Sequence, residues 1–266
     1  MIGALWKVNF RTNRSIILLV TAIYSTYSTL LITVFNPKSM SNMNDIIHAK
    51  LPNGLVTALG INIGTTLISF MATILFGIML YILPMIVMVS VNKQLLAGMV
   101  EKGSMAFLLA TPHRRWKIAL NQAMFSVVAV AIVFVGLATV DSLFAGINYP
   151  GRLDIGQYWQ LAGYAAVFYF AMSGVAFLAS AMANSSSGYY AIGAGVPLFW
   201  VLCDMLANSG GSLGDFKYAT LFTLFDPNKL FAGSDWVPIT IGIFVAIAAA
   251  LYAVGIWLFA KRDLPL

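Results

Sequence analysis

Long apolar runs alternate with short polar stretches along the whole chain. Their length and helical period predict six membrane-spanning helices, at 15–35, 60–90, 118–140, 160–182, 189–206 and 237–260. Nothing resembles the ten-residue apolar/polar alternation of a transmembrane β-barrel strand. The fold class expected is therefore all-α: a polytopic membrane protein whose residues 1–266 form a single transmembrane domain.

The polar interruptions refine this outline. In residues 2–14, Ile2, Leu5, Trp6 and Phe10 fall near one helical face, with Lys7, Arg11 and Arg14 elsewhere. That pattern suits a short helix lying at the membrane interface, or a basic flank to the first span. Within the first span Thr21, Tyr24, Ser25 and Ser28 form a hydroxyl stripe at helical spacing. Hydroxyls gain nothing against lipid, so the stripe faces either neighbouring helices or a translocation path. The second apolar run, 60–90, exceeds the roughly 20 residues that a span needs, so it tilts or projects. Pro84 should bend it near its inner end, as a hinge or as a fixed kink.

Small residues in the fourth span (Ala162, Ala166, Ser173, Gly174, Ala179 and Ala183) permit close helix packing. Gly193, Gly195 and Pro197 loosen the fifth span and argue that it is not wholly lipid-facing. Between the third and fourth spans, NYPG marks a turn in an external link, 141–159. A polar loop occupies 36–60, and His48 in it reads as a solvated surface residue. The stretch 218–231, YATLFTLFDPNKLF, is mostly apolar although it lies between spans. It is expected to dip back towards the membrane as two short helices broken at Asp226–Pro227.

Composition removes several function classes. The chain is 60% apolar and 9% charged, against about 25% charged in a soluble domain. Its net charge of +6 does not imply nucleic acid, because the basic residues sit at helix ends. With both termini cytosolic, the inner segments carry ten basic residues and two acids, and the outer segments five basic residues and seven acids. The positive-inside rule supports that orientation. The lone Cys203 allows no internal disulfide and no multi-cysteine metal site. No lysine, arginine, histidine or glutamate falls near mid-membrane, and Asp141 and Asp204 fall at predicted span ends. A proton- or sodium-coupled carrier usually keeps an ionisable group there. No GxxxxGK[ST] loop is present, so a nucleotide site of that kind would belong to another subunit. His48 and His113 fall on opposite sides and cannot share a catalytic site. The chain is not expected to be an enzyme by itself, nor to hold a cofactor or metal.

The insert between the second and third spans, 91–117, carries Lys93, Lys102, Arg114, Arg115 and Lys117 against one acid, Glu101. Gly98 and Gly103 can redirect its helices. Met99, Met105, Phe107, Leu108 and Leu109 supply an apolar docking or anchoring surface. The surrounding charges suit a soluble partner with a complementary groove.

Four features together resemble the membrane subunit of an ABC-2-type ATP-binding cassette transporter, in its exporter-like permease group. They are the basic amphipathic start ending FRTNR, the six spans, the insert EKGSMAFLLATPHRRWK and the terminal FAKRDLPL. The resemblance covers essentially the whole chain. It implies a complex with a second permease, a copy or a paralogue, and with separate cytosolic ATPases that hold ATP and magnesium. Glu101, Lys102, Gly103 and Ser104 match the family's E-x-G-(T/S), and Pro112, His113, Arg114 and Arg115 match the segment returning to the third span. These eight are the expected ATPase-coupling residues. The stretch at 218–231 is similar to the family's re-entrant outer helices, which makes Phe222, Phe225, Asp226 and Pro227 an expected outer gate. The implied function is ATP-driven export across a bacterial or archaeal cell membrane, with a hydrophobic or amphipathic peptide or a lipid-like molecule as cargo. The competing reading is an ATP-independent channel or a membrane-bound assembly factor.

Overall fold

A computed structural model describes residues 3–36, 66–209, 211–231 and 234–262. The expected loop with His48, the start of the second span, Ile2 and the last four residues lie outside the described residues. The described chain is all helical, and six of its helical segments are long and apolar enough to cross a membrane. The protein is an all-α polytopic membrane protein.

The first helix, α1 (Gly3–Val34), is continuous. Here the structure differs from the expected division into an interfacial helix and a separate span. The reason lies in its buried stripe, Leu5, Asn9, Asn13, Ile17, Val20, Tyr24, Ser28 and Ile32, which repeats every three or four residues from end to end. One face packs along its whole length, so nothing turns the first part aside.

The second span is broken. α2 (Leu67–Thr73) runs into a π-helical turn, Ile74–Ile78, then a 3₁₀ turn, Met79–Tyr81, before α3 (Leu83–Leu95). Pro84 stands in the first turn of α3, where its missing amide is tolerated. The departure from α geometry therefore lies before the proline, rather than as a bend within one helix. Two tyrosines occupy the carbonyls in this region: Tyr24 donates to Leu75 O at 2.9 Å, and Tyr169 donates to Leu80 O. Leu80 is the residue whose carbonyl an amide at position 84 would have reached.

The insert forms α4 (Ala97–Glu101) and α5 (Ser104–Leu109). Next comes α6 (Arg115–Asn148), which continues past the expected span end and absorbs the first part of the predicted external link. NYPG forms the turn that follows, with Gly151 at φ +79°. Asp154 then caps α7 (Ile155–Met182) by accepting from the Gln157 amide at 3.0 Å.

α7 is the centre of the bundle. In its most apolar window 72% of residues are buried, against 22% in the fifth segment. It packs on α3, α6 and the last helix, α11 (Trp236–Lys261). Its small residues explain the closeness: a Cβ on Gly174 would meet Leu251 Cβ at 3.0 Å. The fifth segment is split at Ala194 into α8 (Ser186–Gly193) and α9 (Gly195–Asn208). Pro197 near the start of α9 cannot extend the ladder backwards. The apolar stretch after α9 forms 3₁₀ turns at Gly211–Ala219 and Phe222–Leu224, then α10 (Pro227–Phe231).

Candidate functional site

The insert is positioned from both sides. Leu96, at φ −125°, ends α3, and the freed Ala97 amide donates to Ser180 Oγ at 3.0 Å. Ser180 in turn donates to Asn92 O at 2.6 Å, so one hydroxyl on α7 bridges the break. The chain then reverses at Gly103, whose φ of +68° a side chain would strain. Met105 is fully buried and Leu108 and Leu109 half-buried, so α5 is anchored along one face. Phe107 points away and is 81% exposed.

Of the expected coupling residues, Glu101, Lys102, Gly103, Ser104, Pro112, His113 and Arg114 are exposed and Arg115 is half-buried. Glu101 accepts a hydrogen bond from Ser186 at the start of α8. That hydroxyl, with smaller help from the Ser186 amide, Lys93 and Lys102, holds the Glu101 carboxyl below the usual carboxylate range. Arg115 Nη1 donates to Arg262 O at 2.9 Å. Arg262 itself reaches the carbonyls of Ala181 and Ala183 at 2.9 and 3.2 Å, and Asn184. The two arms of the insert are thus tied to the ends of α7, α8 and α11. Lys102, Arg114 and Lys117 form no ion pair among the described residues.

Behind the insert two polar clusters cross the bundle. Trp6 donates to Asn121 at 3.0 Å and Asn9 donates to Gln122, joining the start of α1 to α6. Asn92, Ser126, Ser173 and Tyr252 form one buried network joining α3, α6, α7 and α11. A network like the one around Ser126, with its buried side-chain polar atoms paired, fixes the register of helices in a medium without water.

The hydroxyl stripe of α1 faces protein. Tyr24 reaches Leu75, Ser28 donates to Asp141, Thr21 bonds back to Ile17 O at 2.7 Å, and Ser25 is buried. Asp141 is a correction to the expected topology. It lies inside α6 and is fully buried, accepting from Ser28 and from Tyr158 on Oδ2. It falls just beyond the expected end of the third span at 140, whereas α6 continues to Asn148.

At the end of the bundle away from the insert, the expected gate residues gather against α7. Phe222 is buried, edge-on to Tyr81 at 4.8 Å between ring centres and tilted against Phe168 at 4.9 Å. Phe225 stacks on Tyr164 at 4.7 Å. Asp226 accepts from the Asn228 amide at 3.0 Å and pairs with Lys229 at 3.7 Å. Beside them opens a cavity of about 360 Å³ lined by Tyr81, Asp204, Asn208, Lys217, Phe222 and Asp226. Asp204 is buried, and its Oδ2 accepts from Tyr81 at 2.6 Å and from Asn208 at 3.2 Å. Asp204 reads in the sequence as a span end, and no site is legible beside it because Tyr81 is distant in the chain.

No protein-family model matches the chain, and no curated protein matches it.

Proposed function

We propose that this chain is the membrane subunit of an ATP-driven exporter of the ABC-2 type, and that its insert docks a separate cytosolic ATPase. The observation that carries this reading is the insert itself. It is a short helical hairpin that presents Phe107 and unpaired cations outward while it is tied to α7, α8 and the end of α11. An exposed aromatic ring on the same short insert as exposed cations suits docking into a partly apolar, acidic partner groove. The ties give a displacement of the hairpin a route into α3, α7, α8 and α11.

In this reading the insert end is cytosolic, in keeping with the balance of charge between the two sides. ATP and magnesium belong to the partner, and a second permease, identical or related, completes the path. The cargo is a hydrophobic or amphipathic peptide or a lipid-like molecule, and the membrane is a bacterial or archaeal cell membrane. The aromatic packing of Phe222 and Phe225 against Tyr81, Tyr164 and Phe168 supports a gate at the opposite end.

The test is purification in mild detergent after crosslinking in the native membrane, with every stoichiometric partner identified. A cytosolic ATPase that copurifies, and whose ATP turnover is altered by Glu101→Ala with Gly103→Ala, supports the reading. A self-associated chain without an ATPase contradicts it and favours a channel or an assembly factor.

A further inference from the structure

Two openings in this bundle share one side chain. The polar cavity described above meets Tyr81 from one side. On the other side of Tyr81 an apolar groove of about 320 Å³ runs along Ile82, Met85, Ile86, Val89 and Leu198. The groove exists because both helices that flank it are broken, the second span at Ile82 and the fifth segment at Ala194. Neither opening alone names a ligand. Together they describe one, with a polar head and an apolar tail.

The head chemistry follows from charge. Asp226 is offset by Lys229, and Lys217 at the rim lies over the Tyr218 ring at 4.9 Å. Asp204 forms no ion pair among the described residues. Both of its hydrogen bonds fall on Oδ2, which leaves Oδ1 without a donor among those residues. A buried carboxylate without a cation is costly unless something positive reaches it. The walls beside it are the rings of Tyr81, Phe222 and Phe225. A carboxylate among aromatic faces is the chemistry that recognises an ammonium group.

The tail follows from length. From Tyr81 to Val89 the groove spans eight residues, about 12 Å at 1.5 Å per residue, and from Asp204 to Ala194 ten, about 15 Å. Half of the roughly 30 Å hydrocarbon core is about 15 Å. Asp204 lies one helical turn from the end of α9, so the cavity and the groove together suit a chain about as long as one leaflet is thick.

We propose that the Asp204 cavity and the groove below it form one binding site for a single-chain amphipath with an ammonium head group. The ammonium sits between Asp204 and the Tyr81 and Phe222 rings, and the chain lies along Met85, Ile86 and Leu198. As a statement about cargo this rests on the exporter reading. As a statement about binding it requires no partner, so an absent ATPase and an absent ligand are separate failures.

The experiment uses the full-length chain, purified in maltoside micelles, and a dodecylamine bearing a photoreactive group at its tail. Labelled peptides are mapped by mass spectrometry. Labelling is expected within 81–89 and 194–198, with dodecylamine competing at least about tenfold better than dodecanol. Asp204→Asn is expected to remove that preference, and Leu198→Trp to reduce labelling by filling the groove. The amine–alcohol comparison on the unaltered protein stands even where a variant does not fold. Equal competition by the alcohol, or label spread over the exposed faces of α1 and α11, overturns the proposal.

Discussion

The hydroxyl of Tyr169 donates to the carbonyl of Leu80, the acceptor that Pro84 leaves without its helical amide. A residue on α7 thereby completes the backbone of the second span at the point where that span is broken. In hydrocarbon a bare carbonyl has no water to turn to, so the break persists only because a neighbouring helix satisfies it. Tyr24 does the same for Leu75 from α1. The second span is therefore built by its neighbours as much as by its own sequence.

Tyr169→Phe is expected to cost about 1–3 kcal/mol, the penalty for an unsatisfied buried acceptor. In a Pro84→Ala background the same change should cost less, because an amide at position 84 can take the Leu80 carbonyl. Thermal unfolding of the two single variants and the double variant in one detergent measures the coupling. Additive losses would mean that the two residues act independently.

Asp141 holds two hydroxyls at once, Ser28 from α1 and Tyr158 from α7. Asp141→Asn keeps an acceptor oxygen for them and should be well tolerated. Asp141→Leu leaves both donors buried without one and should cost about 1–3 kcal/mol for each. Chemical unfolding of both variants decides the matter. Equal stability of the two would show that Ser28 and Tyr158 do not depend on the Asp141 acceptor.

The Ser186 hydroxyl holds the Glu101 carboxyl below the usual carboxylate range. A depressed value in the folded protein means that the tie is intact at and above the ordinary range and is lost as pH falls through the depressed value. Carbon-detected NMR titration of a labelled Glu101 carboxyl should give a midpoint below that of a free glutamate. Ser186→Ala should move it upward. A midpoint unmoved by that change would place the cause elsewhere.

Much of the fold is legible in the sequence because apolar length alone marks a span. The centres of the six segments, the NYPG turn and the small-residue face of α7 all follow from local pattern. Gly174 reads as a packing residue before its approach to Leu251 is known. Local pattern fails where a distant residue decides the outcome. Asp141 looks like a span end because a carboxylate is costly in lipid, yet Ser28 and Tyr158 make it an interior residue. Lys7, Arg11 and Arg14 suggest a surface helix, yet Asn9 and Asn13 continue the buried stripe of α1, with Asn9 bonded to Gln122 and Asn13 to the Asn9 carbonyl. The candidate sites divide in the same way. The insert is local and declares itself through charge and glycine. The Tyr81–Asp204 cavity joins residues more than a hundred positions apart, and no spacing reveals it.

The central claim is that the insert is a docking surface for a nucleotide-driven partner, and Phe107 is its most exposed aromatic residue. A photoreactive amino acid placed at position 107 in the native membrane tests this directly. The account predicts a crosslink to one cytosolic ATPase whose yield changes when a non-hydrolysable nucleotide is added. A crosslink only to lipid or to a second copy of the chain, unchanged by nucleotide, would contradict it.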